Sequence, residues 1–161
     1  GRGARDAGPW LDALIGGWRL SGITHFQDGT PFSVHQPGDC NNDGISDDRP
    51  DRVGPGTLNS SLRSPDKWFE TSDFVDPEPY SFGNSGRNVL VGPSYAKWDI
   101  SVIKQKRISD GSLIEFRVEL FYAFNQVNFD QPYPVMGTSS FGKIFGASRA
   151  REIEVALRYS F

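Results

Sequence analysis

Arg151-Glu-Ile-Glu-Val-Ala-Leu-Arg-Tyr-Ser-Phe161 closes the chain. From residue 153 its odd positions Ile153, Val155, Leu157, Tyr159 and Phe161 are apolar or aromatic, and its even positions Glu152, Glu154, Ala156, Arg158 and Ser160 are mostly polar. Successive side chains of a strand point to opposite faces, so this stretch (about 150–161) predicts a strand with one greasy and one wet face. The alternation runs into the last residue. A soluble domain usually frays at its end, and an apolar terminal Phe gains little there.

Working back, Ser112–Asn125 places Ile114, Phe116, Val118, Leu120, Tyr122 and Phe124 on one parity and Glu115, Arg117 and Glu119 on the other. Strands in globular proteins average about 5 to 6 residues, whereas a tilted strand crossing a bilayer needs about 9 to 11. This one is long. Ala96–Arg107 alternates more weakly, with Trp98, Ile100 and Val102 against Asp99, Ser101 and Gln105, and Ile103 as the exception. Asp110-Gly111 between the two is a tight-turn signal and predicts an antiparallel hairpin. Gly17–Gln27 is also extended, with Trp18, Leu20 and Phe26 opposing Arg19, Ser21, His25 and Gln27. Asp28-Gly29 then either interrupts one long strand across residues 14–36 or turns a hairpin; the interrupted strand is the preferred expectation.

Composition sets the class. The chain has 161 residues, a formal net charge of -3, 13% aromatics, a single cysteine and a mean hydropathy of -0.46. No run approaches the ~20 apolar residues of a spanning helix. The charge balance gives no reason to expect a nucleic-acid partner. Cys40 alone makes no internal disulfide. A transmembrane β-barrel stays open, because alternating strands average to a soluble-looking hydropathy. Residues 37–92 are rich in Gly, Pro, Asp, Asn and Ser with little periodicity. A loop of that length argues against strands in a compact soluble domain, but it is ordinary on the outer side of a barrel, where turns on the other side are short. The segments 37–92 and 129–147 then lie outside, and Asp110-Gly111 and Phe161 lie on the short side. Gly1 in place of Met reads as processing or truncation of an N-terminus.

Several segments in order carry a family resemblance: Gly17-Trp-Arg-Leu-Ser-Gly-Ile23, Gly29-Thr-Pro-Phe32, Asn42-Asp-Gly-Ile-Ser-Asp-Asp-Arg-Pro50, Gly86-Arg-Asn88 with Gly92-Pro93, Phe121-Tyr-Ala-Phe-Asn-Gln-Val-Asn-Phe129, and Glu152–Phe161. From about residue 10 onward the chain resembles the C-terminal end of TonB-dependent outer-membrane receptors, in the Oar-like branch with a carboxypeptidase-regulatory-like N-terminal domain. The resemblance implies an all-β, antiparallel transmembrane barrel of about 22 strands. This chain supplies its last four or five, with one long extracellular loop. It implies a Gram-negative outer membrane and nutrient import, with Ile153, Val155, Leu157, Tyr159 and Phe161 as the signal for the barrel assembly machinery. The implied partners are membrane lipid, the rest of the barrel with its plug, and TonB through the N-terminal part. The rival readings are an Oar-type surface interaction or adhesion protein and a soluble β-sandwich carbohydrate-binding module. The last needs short strands and a sealed core, which the long strands oppose.

One local motif suggests a ligand. Asp39, Asn41 and Asp43 followed by Gly44 resemble the opening of a calcium loop, and the Ile45 carbonyl with Asp47 or Asp48 completes a shell of hard oxygens. Pro50 stands where an EF-hand has its bidentate Glu, which lowers the expected affinity. The alternative is an Asx-rich turn that satisfies its own backbone. Trp68, Phe69, Phe74, Tyr80, Phe82 and Tyr95 either stack on a ligand or hold the loop together; the second is expected. Trp18, Trp98, Tyr122, Tyr159 and Phe161 are expected to face outward, some of them in interfacial girdles. Glu115, Arg117, Glu119, Glu152, Glu154 and Arg158 line the lumen as a regular face. No catalytic constellation, zinc set or phosphate loop is legible, and enzymatic activity is not expected.

Overall fold

The structure is a computed structural model and describes residues 15–161. The start of the 14–36 question, at residue 14, and the first residues of the chain lie outside the described residues. The strands, in chain order, are β1 (Trp18–Gln27), β2 (Pro31–Phe32), β3 (Asp51–Arg52), β4 (Phe74–Val75), β5 (Leu90–Val91), β6 (Tyr95–Ser109), β7 (Ser112–Phe121) and β8 (Glu152–Ser160). They fall into two compact units, one containing the long strands and one built from Phe26–Tyr95 with Val127–Ser148.

The long strands form one four-stranded sheet in the order β1-β6-β7-β8. β6 and β7 are the expected hairpin: Ser109 faces Ser112 around Asp110 and Gly111, and Gly111 holds a φ of +99° that favours glycine. β7 and β8 pair without a slip from Leu113–Ser160 to Phe121–Glu152. β1 runs opposite to β6, since the Gly17 carbonyl accepts from Gln105 N–H while Gly22 lies against the Asp99 carbonyl. Residues opposite each other share a face. Ile100, Leu120 and Ile153 therefore make one apolar row, Val102, Val118 and Val155 the next, and Phe116 with Leu157 a third. The other face carries Gln105, Glu115 and Arg158, then Ser101, Glu119 and Glu154. β1 and β8 are the edges, and their apolar residues are exposed. Four strands leave the sheet open, as expected for part of a wall: closure needs about eight.

β7 stops earlier than its alternation suggests. Tyr122 has a φ of +51°, its N–H donates to the Asp99 carboxylate (3.1 Å), and Ala123 N–H takes the Trp98 carbonyl (2.8 Å). A side-chain acceptor thus displaces the ladder and slips it by one residue. The slip carries Tyr122 away from the outward face expected for it. Its ring lies 4.8 Å from Lys97 Nζ, and that ammonium is itself paired to Asp99 at 2.7 Å on the charged face. Phe124 instead packs edge-on against Trp98, 5.3 Å between centroids.

Asp28-Gly29 does not turn a hairpin, because β2 pairs with β5 and not with β1. A Cβ on Gly29 would run into the Gly92 carbonyl, so the break needs glycine there.

The second unit folds around its own core of Val34, Phe69, Phe74, Leu90 and Met136, with Phe32, Trp68, Val89 and Phe141 against it. Phe69 is the hub: its ring meets those of Phe141 (5.2 Å), Phe32 (5.7 Å) and Phe74 (5.9 Å). Edge-on and tilted contacts of this kind suit the ring quadrupole. Both aperiodic segments contribute. Met136 N–H bonds the His35 carbonyl and Trp68 N–H the Gly142 carbonyl, so residues 129–147 close over residues 32–74. Gly56 sits where φ is +68° and a Cβ would press on the Phe74 ring at 2.9 Å. Lys67 and Ser72 hydrogen-bond Glu70 and hold its carboxyl below the usual range.

Candidate functional site

The Asp39–Asp48 segment is held by its own side chains. Asp39 accepts from Asp43 N–H (2.9 Å) and Gly44 N–H (2.8 Å). Asp43 accepts from Ile45 N–H (2.8 Å), and Asp48 from Cys40 N–H (2.6 Å) and Asn41 N–H (3.3 Å). Gly44, Asn42 and Asp47 take positive φ, which lets the chain reverse tightly around these acceptors. Asp47 points elsewhere, to His35 Nδ1 at 3.2 Å. Among the described residues no three His, Cys, Asp or Glu side chains gather as a metal set. The six sequence-derived calcium residues thus share one loop, in which the carboxylates of Asp39, Asp43 and Asp48 are turned onto the backbone. The Cys40 thiol is pushed up by desolvation and by Asp48, Asp76 and Asp39, so it stays protonated and weakly nucleophilic at neutral pH.

The loop aromatics separate into two groups. Phe69 and Phe74 are core, and Trp68 packs on it while donating Nε1–H to the Val91 carbonyl (3.1 Å), with the Arg63 guanidinium 5.4 Å from its ring. Tyr80 and Phe82 are 79% and 77% exposed. Phe82 borders an open cleft with Asp47, Asp48 and Arg49, and Tyr80 N–H bonds the Cys40 carbonyl. A second cleft, of about 250 Å³, lies where Asp28, Thr30, Tyr95, Phe129, Asp130 and Gln131 meet. Sequence reading missed it, because its parts come from three separate segments. A Cβ at Gly92 or Gly146 would strike Gln131 or Asp130, so two glycines make room for these polar side chains. Rings beside carboxylates and an amide suit a ligand with hydroxyl or ammonium groups.

On the sheet, Ile153, Val155, Leu157 and Tyr159 stand exposed on one face of the edge strand, and the Phe161 ring stacks on Tyr159 at 5.7 Å. On the charged face Glu115 accepts from Gln105 (2.6 Å) and Arg117 (2.9 Å), and Arg117 also reaches Glu119 at 3.9 Å. The pairing runs along β7 as well as across to neighbouring strands.

Long antiparallel strands with one mainly apolar face, one mainly polar and charged face, a two-residue turn and a folded loop unit fit the wall of a transmembrane β-barrel. The chain belongs to a family of such proteins: the model described as an outer membrane beta barrel domain matches residues 1–154. This is a protein of the outer membrane. No curated protein and no solved structure matches it.

Proposed function

We propose that this barrel wall belongs to a TonB-dependent receptor of the Oar-like branch, which admits a scarce, bulky nutrient across a Gram-negative outer membrane. The observation that supports it best is the second unit: a loop folded around its own core and presenting Tyr80, Phe82 and two polar clefts. A simple barrel does not need so large a folded outer part. In this reading the segment supplies wall, ligand-facing loops and, through Ile153–Phe161, the assembly signal, and it performs no catalysis. Energy coupling resides in a plug and TonB-contact box upstream of Gly1. The 39–48 loop takes calcium weakly, because its carboxylates already hold backbone N–H groups. The full-length protein should bind the purified periplasmic domain of TonB in a pull-down. Failure to bind would favour the adhesion reading, to which the exposed Ile45, Tyr80 and Phe82 also lend themselves.

A further inference from the structure

We propose that the cleft lined by Asp28, Asp130 and Gln131 receives an alkylammonium group, the charged end of an amine-bearing ligand. This names a ligand class for the receptor reading above and rests on its placing of the loop unit towards the ligand. All residues that line the cleft belong to that unit. Two carboxylates share one cleft of about 250 Å³, and among the described residues no Lys or Arg lines it. Neither the Asp28 nor the Asp130 carboxylate has an ion pair or hydrogen bond among the described residues. The protein thus leaves both charges uncompensated, and a concave wall of one sign concentrates cations from solution.

The backbone holds these acceptors in place. The Thr30 carbonyl accepts from Gly92 N–H (3.0 Å) and from Gln131 Nε2 (3.0 Å), which fixes the amide and leaves Oε1 as a third acceptor. Asp130 N–H donates to the Gly146 carbonyl (3.0 Å), and Phe129 bridges Ala147. The Asp130 carboxylate lies against Gly146 and the Gln131 amide against Gly92, each in space that a Cβ would fill. Two carboxylates and one amide oxygen match in number the three N–H donors of one ammonium, and charge-assisted bonds of this kind are the strong ones. The Tyr95 and Phe129 rings line the same cleft. Aromatic faces attract a cation and pack the methylene stem behind it. A neutral sugar leaves both charges unpaired. Calcium takes about six to eight oxygens and gains nothing from the rings. Pockets that enclose a whole ligand run to about 300–1,000 Å³, so this smaller cleft suits one small amine or the end of a larger molecule.

The test is titration calorimetry on the full-length protein in mild detergent, with a trilysine peptide and with 1,5-diaminopentane as probes. At least one should bind, and the tighter of the two tells whether the ammonium arrives on a peptide or as a free amine. Asp28→Asn and Asp130→Asn should each weaken that binding about tenfold. Asp66→Asn, at an exposed carboxylate of the same unit outside the cleft, should leave it unchanged. Silence with both probes, equal binding of acetylated trilysine, or an equal loss in Asp66→Asn would overturn the proposal. So would calcium binding at the same two carboxylates more tightly than either probe. Should the Asn variants fail to assemble, trilysine carrying a side-chain diazirine decides on the unmodified protein: cross-links should map to Tyr95 or to residues 129–131, and cross-links confined to other segments count against the site. Capture by TonB is a separate measurement, so a protein that binds TonB and ignores both amines loses this inference alone, and one that binds amines but not TonB loses the receptor reading alone.

Discussion

Leu20 and Leu157 on the sheet are each 74% exposed, whereas Phe69 and Leu90 in the loop unit are each 2% exposed. Similar side chains are thus placed in opposite ways within one chain. In the loop unit water is the solvent, so apolar residues gather inward and about 25 cal/mol is gained per Å² buried. On the sheet one face meets lipid, which is as apolar as leucine, and exposure there carries no such penalty. The burial pattern therefore reports the solvent around each unit.

Substitutions should divide along that line. The largest effect is expected from Phe69→Ala, which removes the ring at the centre of the loop core and should cost that unit about 3–5 kcal/mol. Limited proteolysis of the full-length protein should cut within 37–92 while heat-modifiable barrel mobility stays intact. Loss of both together would mean the sheet depends on the loop core. Next comes Val118→Arg, in the middle row between Val102 and Val155. It should destabilise folding into bilayers by about 2–4 kcal/mol and leave the loop unit's protease pattern unchanged. The smallest effect is expected from calcium. Titration calorimetry should show heat only at about 0.1–1 mM calcium or above, reduced by Asp39→Asn. Silence through the millimolar range would leave the loop as a self-satisfied turn.

What could be read beforehand follows the same division. Ile153–Phe161, Ile114–Leu120 and the Asp110-Gly111 turn were legible because a strand with two unlike solvents must alternate. Tyr122 was not, since the Asp99 carboxylate that ends the alternation lies 23 residues away. The loop core was not legible either. Val34, Leu90 and Met136 meet from distant, aperiodic segments, and nothing local distinguishes the buried Phe69 from the exposed Phe82. The Asx geometry of Asp39–Asp48 was visible as a motif, but the partners of its carboxylates were decided by the turn.

The assignment of faces is tested most directly by site-directed spin labelling of the full-length protein in bilayers, with Cys40 replaced by Ser. Labels at 116, 117, 118, 119 and 120 along β7 report their exposure to oxygen, which partitions into lipid, and to a water-soluble nickel complex. Labels at 116, 118 and 120 should favour oxygen, and those at 117 and 119 should favour nickel. Equal access to nickel at all five positions would contradict a membrane-facing wall.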